Sequence, residues 1–102
     1  MKTIYKYPLM TTPELVGGHI FEEIDLPIGA EVLTIEIQNK DNVCLWAVVN
    51  PEEEQKETRK FVLFGTGMGI PDSLELKYIK TILISDGVFV YHGFEILNKE
   101  AV

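Results

Sequence analysis

The stretch Glu31–Asn50, EVLTIEIQNKDNVCLWAVVN, decides the fold. Its first half is rich in β-branched residues and its second half carries Val43, Val48, Val49 and the single tryptophan. Between them, Asn39-Lys40-Asp41-Asn42 supplies residues that tolerate turn dihedrals, so the stretch reads as a β-hairpin. With Lys40 and Asp41 as the central turn residues, Ile37 faces Cys44, Ile35 faces Trp46 and Leu33 faces Val48. That face is wholly apolar and is assigned to the core. The other face pairs Gln38 with Val43, Glu36 with Leu45, Thr34 with Ala47 and Val32 with Val49, a mixed surface. A slip of one residue would exchange the two faces.

A second hairpin is written into Leu76–Ile96, where two long β-rich runs flank Asp86-Gly87, a dipeptide suited to a type I′ turn. Its register sets Leu83 opposite Val90, Thr81 opposite His92 and Ile79 opposite Phe94 on the side expected to face the core. Ile84 with Phe89, Ile82 with Tyr91, Lys80 with Gly93 and Tyr78 with Glu95 take the other side. Working outward, Lys2–Tyr7 reads as a short edge strand stopped by Pro8. Met10–Gly18 reads as a loop with one helical turn capped by Thr12, with Pro13 first in the helix. His19–Leu26 leads through a Leu26–Gly29 turn into the central hairpin. Residues 52–58, EEEQKET, read as a solvated loop, Phe61–Phe64 as a buried strand and Gly65–Ser73 as a long irregular connection. The expected core is Leu33, Ile35, Ile37, Trp46, Val48, Ile79, Leu83, Val90 and Phe94. The fold class is all-β, a small antiparallel sandwich or partly open barrel of about six to eight strands with little helix.

The 102 residues are expected to form one domain, 1–102, with a flexible tail at Leu97–Val102. No apolar run approaches the roughly 20 residues of a spanning helix, and Met1–Pro8 has no secretory pattern, so a cytosolic protein is expected. Sixteen acidic residues against nine basic ones give a net charge of -7, and Arg59 is the one arginine. No basic cluster appears, which argues against duplex nucleic acid as a partner. Small anions remain compatible with this charge, because backbone amides and one or two cations can hold them locally.

No spacing of residues suggests a reaction centre. Cys44, the one cysteine, falls inside a strand and reads as a buried, inert thiol. His19 and His92 are far apart in the chain. His92, beside Thr81, reads as a neutral histidine whose ring nitrogens find a hydroxyl and a carbonyl. No metal spacing and no cofactor motif is present. Glu22, Glu23, Asp25 and Glu36 could converge across strands, but acidic residues on solvent faces of sheets are commonplace, so hydrolase chemistry is the weakest reading. The glycine-rich Gly65-Thr66-Gly67-Met68-Gly69 matches neither phosphate fingerprint. Its structural reading is a connection needing positive φ. Its functional reading is a backbone nest for an anionic or nucleotide-like ligand, assisted by Arg59, Lys60 or Lys80.

A wider set of residues resembles a known family. Tyr5-Lys6-Tyr7-Pro8, Leu26-Pro27 with Gly29-Ala30, Cys44-Leu45-Trp46-Ala47 with Pro51, Gly65-Thr66-Gly67, Tyr78-Ile79 with Thr81, and Phe89-Val90 with His92 and Phe94-Glu95 carry the likeness. Together they are similar to short proteins encoded by tailed bacteriophages and prophages, a family with no assigned activity. Lys80 stands where that pattern has a small residue, and the Gly17-Gly18 region is longer. The resemblance implies a phage or prophage protein working in the bacterial cytoplasm.

Binding without turnover is therefore the expected function, centred on Arg59, Gly65, Thr66, Gly67, Tyr78 and Lys80. One target is a host nucleotide immune signal held as by a sponge, with Arg59 on a phosphate and Tyr78 stacked on a base. The alternative is a host or phage protein gripped by a sheet edge or apolar patch, or a structural role in the virion. A homodimer or larger assembly is expected from the open edge at Lys2–Tyr7 and from the mixed hairpin face, which is unusually apolar for solvent.

Overall fold

The structure, a computed structural model, describes residues 1–98. It contains β1 (Thr3–Thr11), α1 (Thr12–Val16), β2 (Phe21–Pro27), β3 (Glu31–Gln38), β4 (Asn42–Val49), β5 (Lys56–Gly65), β6 (Leu76–Ile84) and β7 (Phe89–Ile96). The strands form two antiparallel sheets, one ordered β1-β4-β3 and the other β2-β5-β7-β6. The sheets do not close into a barrel, so the molecule is a small all-β sandwich. β3 and β6, the edge strands on one side, run beside each other and form a seam between the sheets.

The central hairpin is present, but its register is shifted by one residue from the expected pairing. Ile37 faces Val43, Glu36 faces Cys44, Ile35 faces Leu45 and Thr34 faces Trp46. The cause lies in the turn. Asn39 and Lys40 both take positive φ, 55° and 69°, and Asp41 donates its N–H to the Asn39 carbonyl at 2.8 Å. Three residues thus sit outside the ladder rather than two, and Gln38 pairs with Asn42. Because side chains alternate with period two, this shift gives the core Val43, Leu45, Ala47 and Val49, with Ile35, and leaves Trp46 and Val48 half-buried. A bulge between Val32 and Thr34 turns Leu33 outward, where it is 44% exposed.

In the second hairpin the expected register holds from Ile84–Phe89 to Lys80–Gly93. Asp86 and Gly87 have φ of 56° and 87°, and Val88 donates to the Ser85 carbonyl at 3.1 Å, as a type I′ turn requires. The face, however, is the opposite of the one assigned. Ile82, Ile84 and Tyr91 enter the core, while Leu83 is 61% exposed and Val90 is half-buried on the outer side. Period-two alternation defines two faces without saying which one the other sheet covers. A bulge at Ile79 then changes the pairing, so Tyr78 faces Phe94 rather than Glu95.

Other elements run longer than expected. β1 continues through Pro8 to Thr11, with a bulge between Pro8 and Met10; an edge strand accommodates proline because one side of its backbone needs no partner. The charged run before Phe61 is strand from Lys56, since β2 pairs with it along Glu22–Pro27. The helix begins one residue earlier than expected. Thr11 is its N-cap, with a capping box in which Thr11 Oγ1 accepts from Glu14 N and Glu14 Oε1 accepts from Thr11 N. In the tail, Leu97 N donates to Glu75 O at 2.8 Å and Asn98 bonds to Glu75 and Ser73. Its remaining residues, 99–102, lie outside the described residues.

Ile35 and Leu45 of one sheet meet Leu26, Phe61, Leu63, Ile82 and Tyr91 of the other, and Leu9, Met10 and Leu15 extend the core. The sheets come close at Gly93, where a Cβ would lie 3.0 Å from Ile35 Cδ1 and 3.4 Å from Lys80 O. Ile35 is fully buried, so it packs directly on bare backbone of β7.

Two outcomes follow from this packing. Ile35→Ala should cost about 2 to 5 kcal/mol in urea unfolding, by lost transfer energy plus the cavity left behind, while Leu33→Ala should change stability by less than about 0.5 kcal/mol. Gly93→Ala should cost about 1 to 3 kcal/mol by overpacking, and Ile35→Val should recover part of that loss in a double-mutant cycle. Additive effects of the two substitutions would contradict the contact.

Candidate functional site

β5, β7 and β6 place a row of side chains on the face of their sheet that points away from the core. Phe64, His92 and Thr81 stand side by side in register, as do Val62, Phe94 and Tyr78. Phe94 lies against Phe64 at 6.2 Å and meets Tyr78 edge-on at 5.7 Å, measured between ring centres. These contacts order the rings, with Phe64 buried, Phe94 half-buried and Tyr78 exposed.

The polar atoms form one continuous chain. Tyr78 Oη lies 2.6 Å from Thr81 Oγ1, Thr81 Oγ1 is 3.0 Å from His92 Nδ1, and His92 Nε2 is 2.8 Å from Thr66 Oγ1. A neutral imidazole fits without conflict: Tyr78 donates to Thr81, Thr81 to Nδ1, and Nε2–H to Thr66, or every donor reverses together. Each imidazole nitrogen finds a hydroxyl, so the carbonyl expected as one partner of His92 is replaced by a second threonine.

Thr66 is held there by its glycine neighbours. Gly65 to Met68 is a tight turn closed by Met68 N donating to Gly65 O at 3.0 Å, and Gly67 at its third position has φ 91°, a conformation that glycine adopts without strain. Thr66 N donates to Val90 O at 3.0 Å, and Gly65 N points at Met68 Sδ at 3.0 Å. The amides of Gly65, Thr66 and Met68 are therefore engaged within the fold, unlike those of an open nest. Beside this turn Met68, Val88, Phe89 and Val90 line a shallow cleft of about 320 Å³.

The structure separates the remaining expected site residues from this row. Arg59 stands six residues from Gly65 along β5, about 20 Å at strand rise, and on the core-facing side of the sheet, away from His92 and Thr81. Its Nε and Nη2 grip Glu95 at 2.5 and 2.9 Å, and its Nη1 donates to the Ala30 carbonyl at 2.8 Å. The bonds to Glu95 raise the guanidinium above its ordinary pKa, against the opposing effect of burial. The two side chains are only 17% and 9% exposed, so the pair is part of the interior and ties β5 and β7 to the start of β3. Lys80 is 3.0 Å from Glu36 and bridges the seam between β6 and β3. His19 pairs with Glu22 at 2.9 Å, apart from His92. Cys44 is buried. Among the described residues no group of His, Cys, Asp and Glu could hold a metal ion.

Sequence reasoning placed Thr81 opposite His92 through the Asp86-Gly87 turn, but it had no means of joining Thr66 to them or Glu95 to Arg59. Both associations depend on the pairing of β5 with β7, which are separated by the whole of β6 in the chain.

The fold and this face define a small antiparallel β-sandwich with an ordered polar and aromatic surface on one sheet. By sequence, the chain belongs to the family described as Domain of unknown function (DUF7352), whose model matches residues 1–101. No curated protein and no solved structure matches it. No helix among the described residues is long and apolar enough to cross a membrane.

Arg59→Ala should leave Glu95 buried without its partner and destabilise the fold by about 3 to 5 kcal/mol in denaturant unfolding. A loss below about 1 kcal/mol would show that the pair is dispensable to the sandwich.

Proposed function

We propose that the chain is a binding protein that acts without turnover and grips a partner protein with the turn end of the β6–β7 hairpin. The observation that carries this reading is the position of its uncovered apolar surface. Met68, Leu83, Val88 and Phe89 are 44%, 61%, 73% and 39% exposed. Leu83 and its cross-strand neighbour Val90 lie on the outer side, Phe89 lies on the Ile84–Tyr91 side, and Met68, Val88, Phe89 and Val90 share one cleft at the turn, so the apolar surface wraps the turn end of the hairpin. Such a cluster gains by being covered, and the adjoining Tyr78–Thr81–His92–Thr66 row supplies directional hydrogen bonds at its margin.

Charge specifies the partner further. The chain carries -7 overall, whereas Asp86 is the one acidic side chain in Ser85–His92. The fitting partner presents an apolar side chain to the cleft and basic groups around it, which would speed encounter without burying unpaired charge. A nucleotide sponge needs unanswered positive charge; Arg59 is answered by Glu95 and Lys80 by Glu36, which favours the protein partner. The resemblance to phage and prophage proteins supports a host factor or a phage component as that partner, met in a bacterial cytoplasm.

The test uses wild-type and Leu83→Glu chains as bait, followed by reconstitution with the purified partner. The substitution lies on an exposed position and should preserve folding while weakening the complex by about 2 kcal/mol, roughly thirty-fold. A complex indifferent to Leu83→Glu would remove this end of the hairpin from consideration. Sedimentation of the isolated chain reports whether the occupant is instead a second copy, and heat on titration with cyclic nucleotides would restore the small-ligand reading.

A further inference from the structure

The seam between β3 and β6 is closed at one end and open at the other. At the closed end Lys80 Nζ and Glu36 Oε2 meet at 3.0 Å. At the open end both strands carry a bulge, at Leu33 in β3 and at Ile79 in β6, and these two residues line one cleft of about 270 Å³. A bulge interrupts the ladder edge and turns the strand aside, so two bulges facing one gap keep the sheets from meeting there.

The charges around this cleft are balanced and only half are matched. The Arg59–Glu95 pair lies within its lining and is satisfied internally. Glu31 on the β3 lip and Lys77 on the β6 lip are both exposed, both line the cleft, and form no ion pair with each other or with another described residue. One lip thus offers an unanswered carboxylate and the other an unanswered ammonium group. We infer that the open end of the β3–β6 seam is a binding site for a small zwitterion of the amino-acid or dipeptide class. Its carboxylate lies toward Lys77 and its ammonium group toward Glu31. The volume suits a molecule of that size, and the balanced lining disfavours a polyanion, whose charge would meet Glu31 and Glu95 as well as the two cations. This inference does not rest on the protein-binding reading, although Tyr78 borders both regions.

The test is titration of the ¹⁵N-labelled chain with the free proteinogenic amino acids and with Ala-Ala, read by amide shifts at Leu33, Lys77 and Ile79. Saturable shifts at these residues with at least one zwitterion are expected. Lys77→Gln and Glu31→Gln, both at exposed positions outside the Arg59–Glu95 pair, should each weaken that binding about ten-fold or more. N-acetyl-alanine, which lacks the ammonium group, and alanine amide, which lacks the carboxylate, should bind at least ten-fold more weakly than the parent zwitterion. No shift with any zwitterion at millimolar concentration overturns the inference. So do equal shifts with N-acetyl-alanine or inorganic phosphate that ignore Glu31→Gln, since they would show a plain anion site.

Discussion

Ile35 seated on the bare backbone of Gly93 is the contact on which the rest of the sandwich depends. Two sheets pack about 10 Å apart when side chains fill the space between them, and a missing Cβ lets one sheet settle closer at that point. Because β7 is central in its sheet and β3 is an edge of the other, this approach draws β3 over β7 and β6. It therefore sets where the β3–β6 seam runs. It also sets which face of the last hairpin is covered: Ile82 and Tyr91 are cross-strand neighbours adjoining the Lys80–Gly93 pair, and both lie in the core with Ile35. Once that face is inside, Leu83, Val90, Thr81 and His92 are outside.

The buried Arg59–Glu95 pair has a different role. Replacing such a pair with apolar residues often costs little, whereas removing one partner leaves a charge stranded. Its worth here is geometric, since the planar guanidinium meets Glu95 with two parallel bonds and has a further N–H for Ala30 O. The result fixes the loop entering β3 against the ends of β5 and β7. It also leaves the one arginine of the chain committed to structure, so the unanswered positive charge of the seam lies on Lys77.

All four sheet edges carry devices that discourage further strand pairing. β1 has Lys6, Pro8 and a bulge, β2 has Glu22, Glu23 and Asp25, and β3 and β6 have facing bulges. Edge extension is thereby discouraged. The turn end of β6–β7 is where exposed apolar side chains adjoin the ordered hydrogen-bonded row.

Local sequence determined much of the architecture. Asp86-Gly87 requires positive φ at both positions and so specifies its hairpin register; Thr81 beside His92 follows from that dipeptide alone. The β-branched runs specify strands, and their alternation specifies two faces for each. Alternation is silent about which face is covered, because Leu83 and Val90 are as apolar as Ile82 and Ile84. Only the approach of the second sheet over Gly93 decides it. The turn at Asn39–Asp41 shows the same limit at smaller scale. Two or three residues outside the ladder are both compatible with Asn-Lys-Asp, and the choice falls to the register that buries Val43, Leu45, Ala47 and Val49 together. The site divides in the same way. Thr66 joins His92, and Arg59 joins Glu95, through the β5–β7 pairing, whose partners are about 30 residues apart. Contacts at that separation arise from which strands the folded chain brings side by side, and no spacing along the chain encodes them.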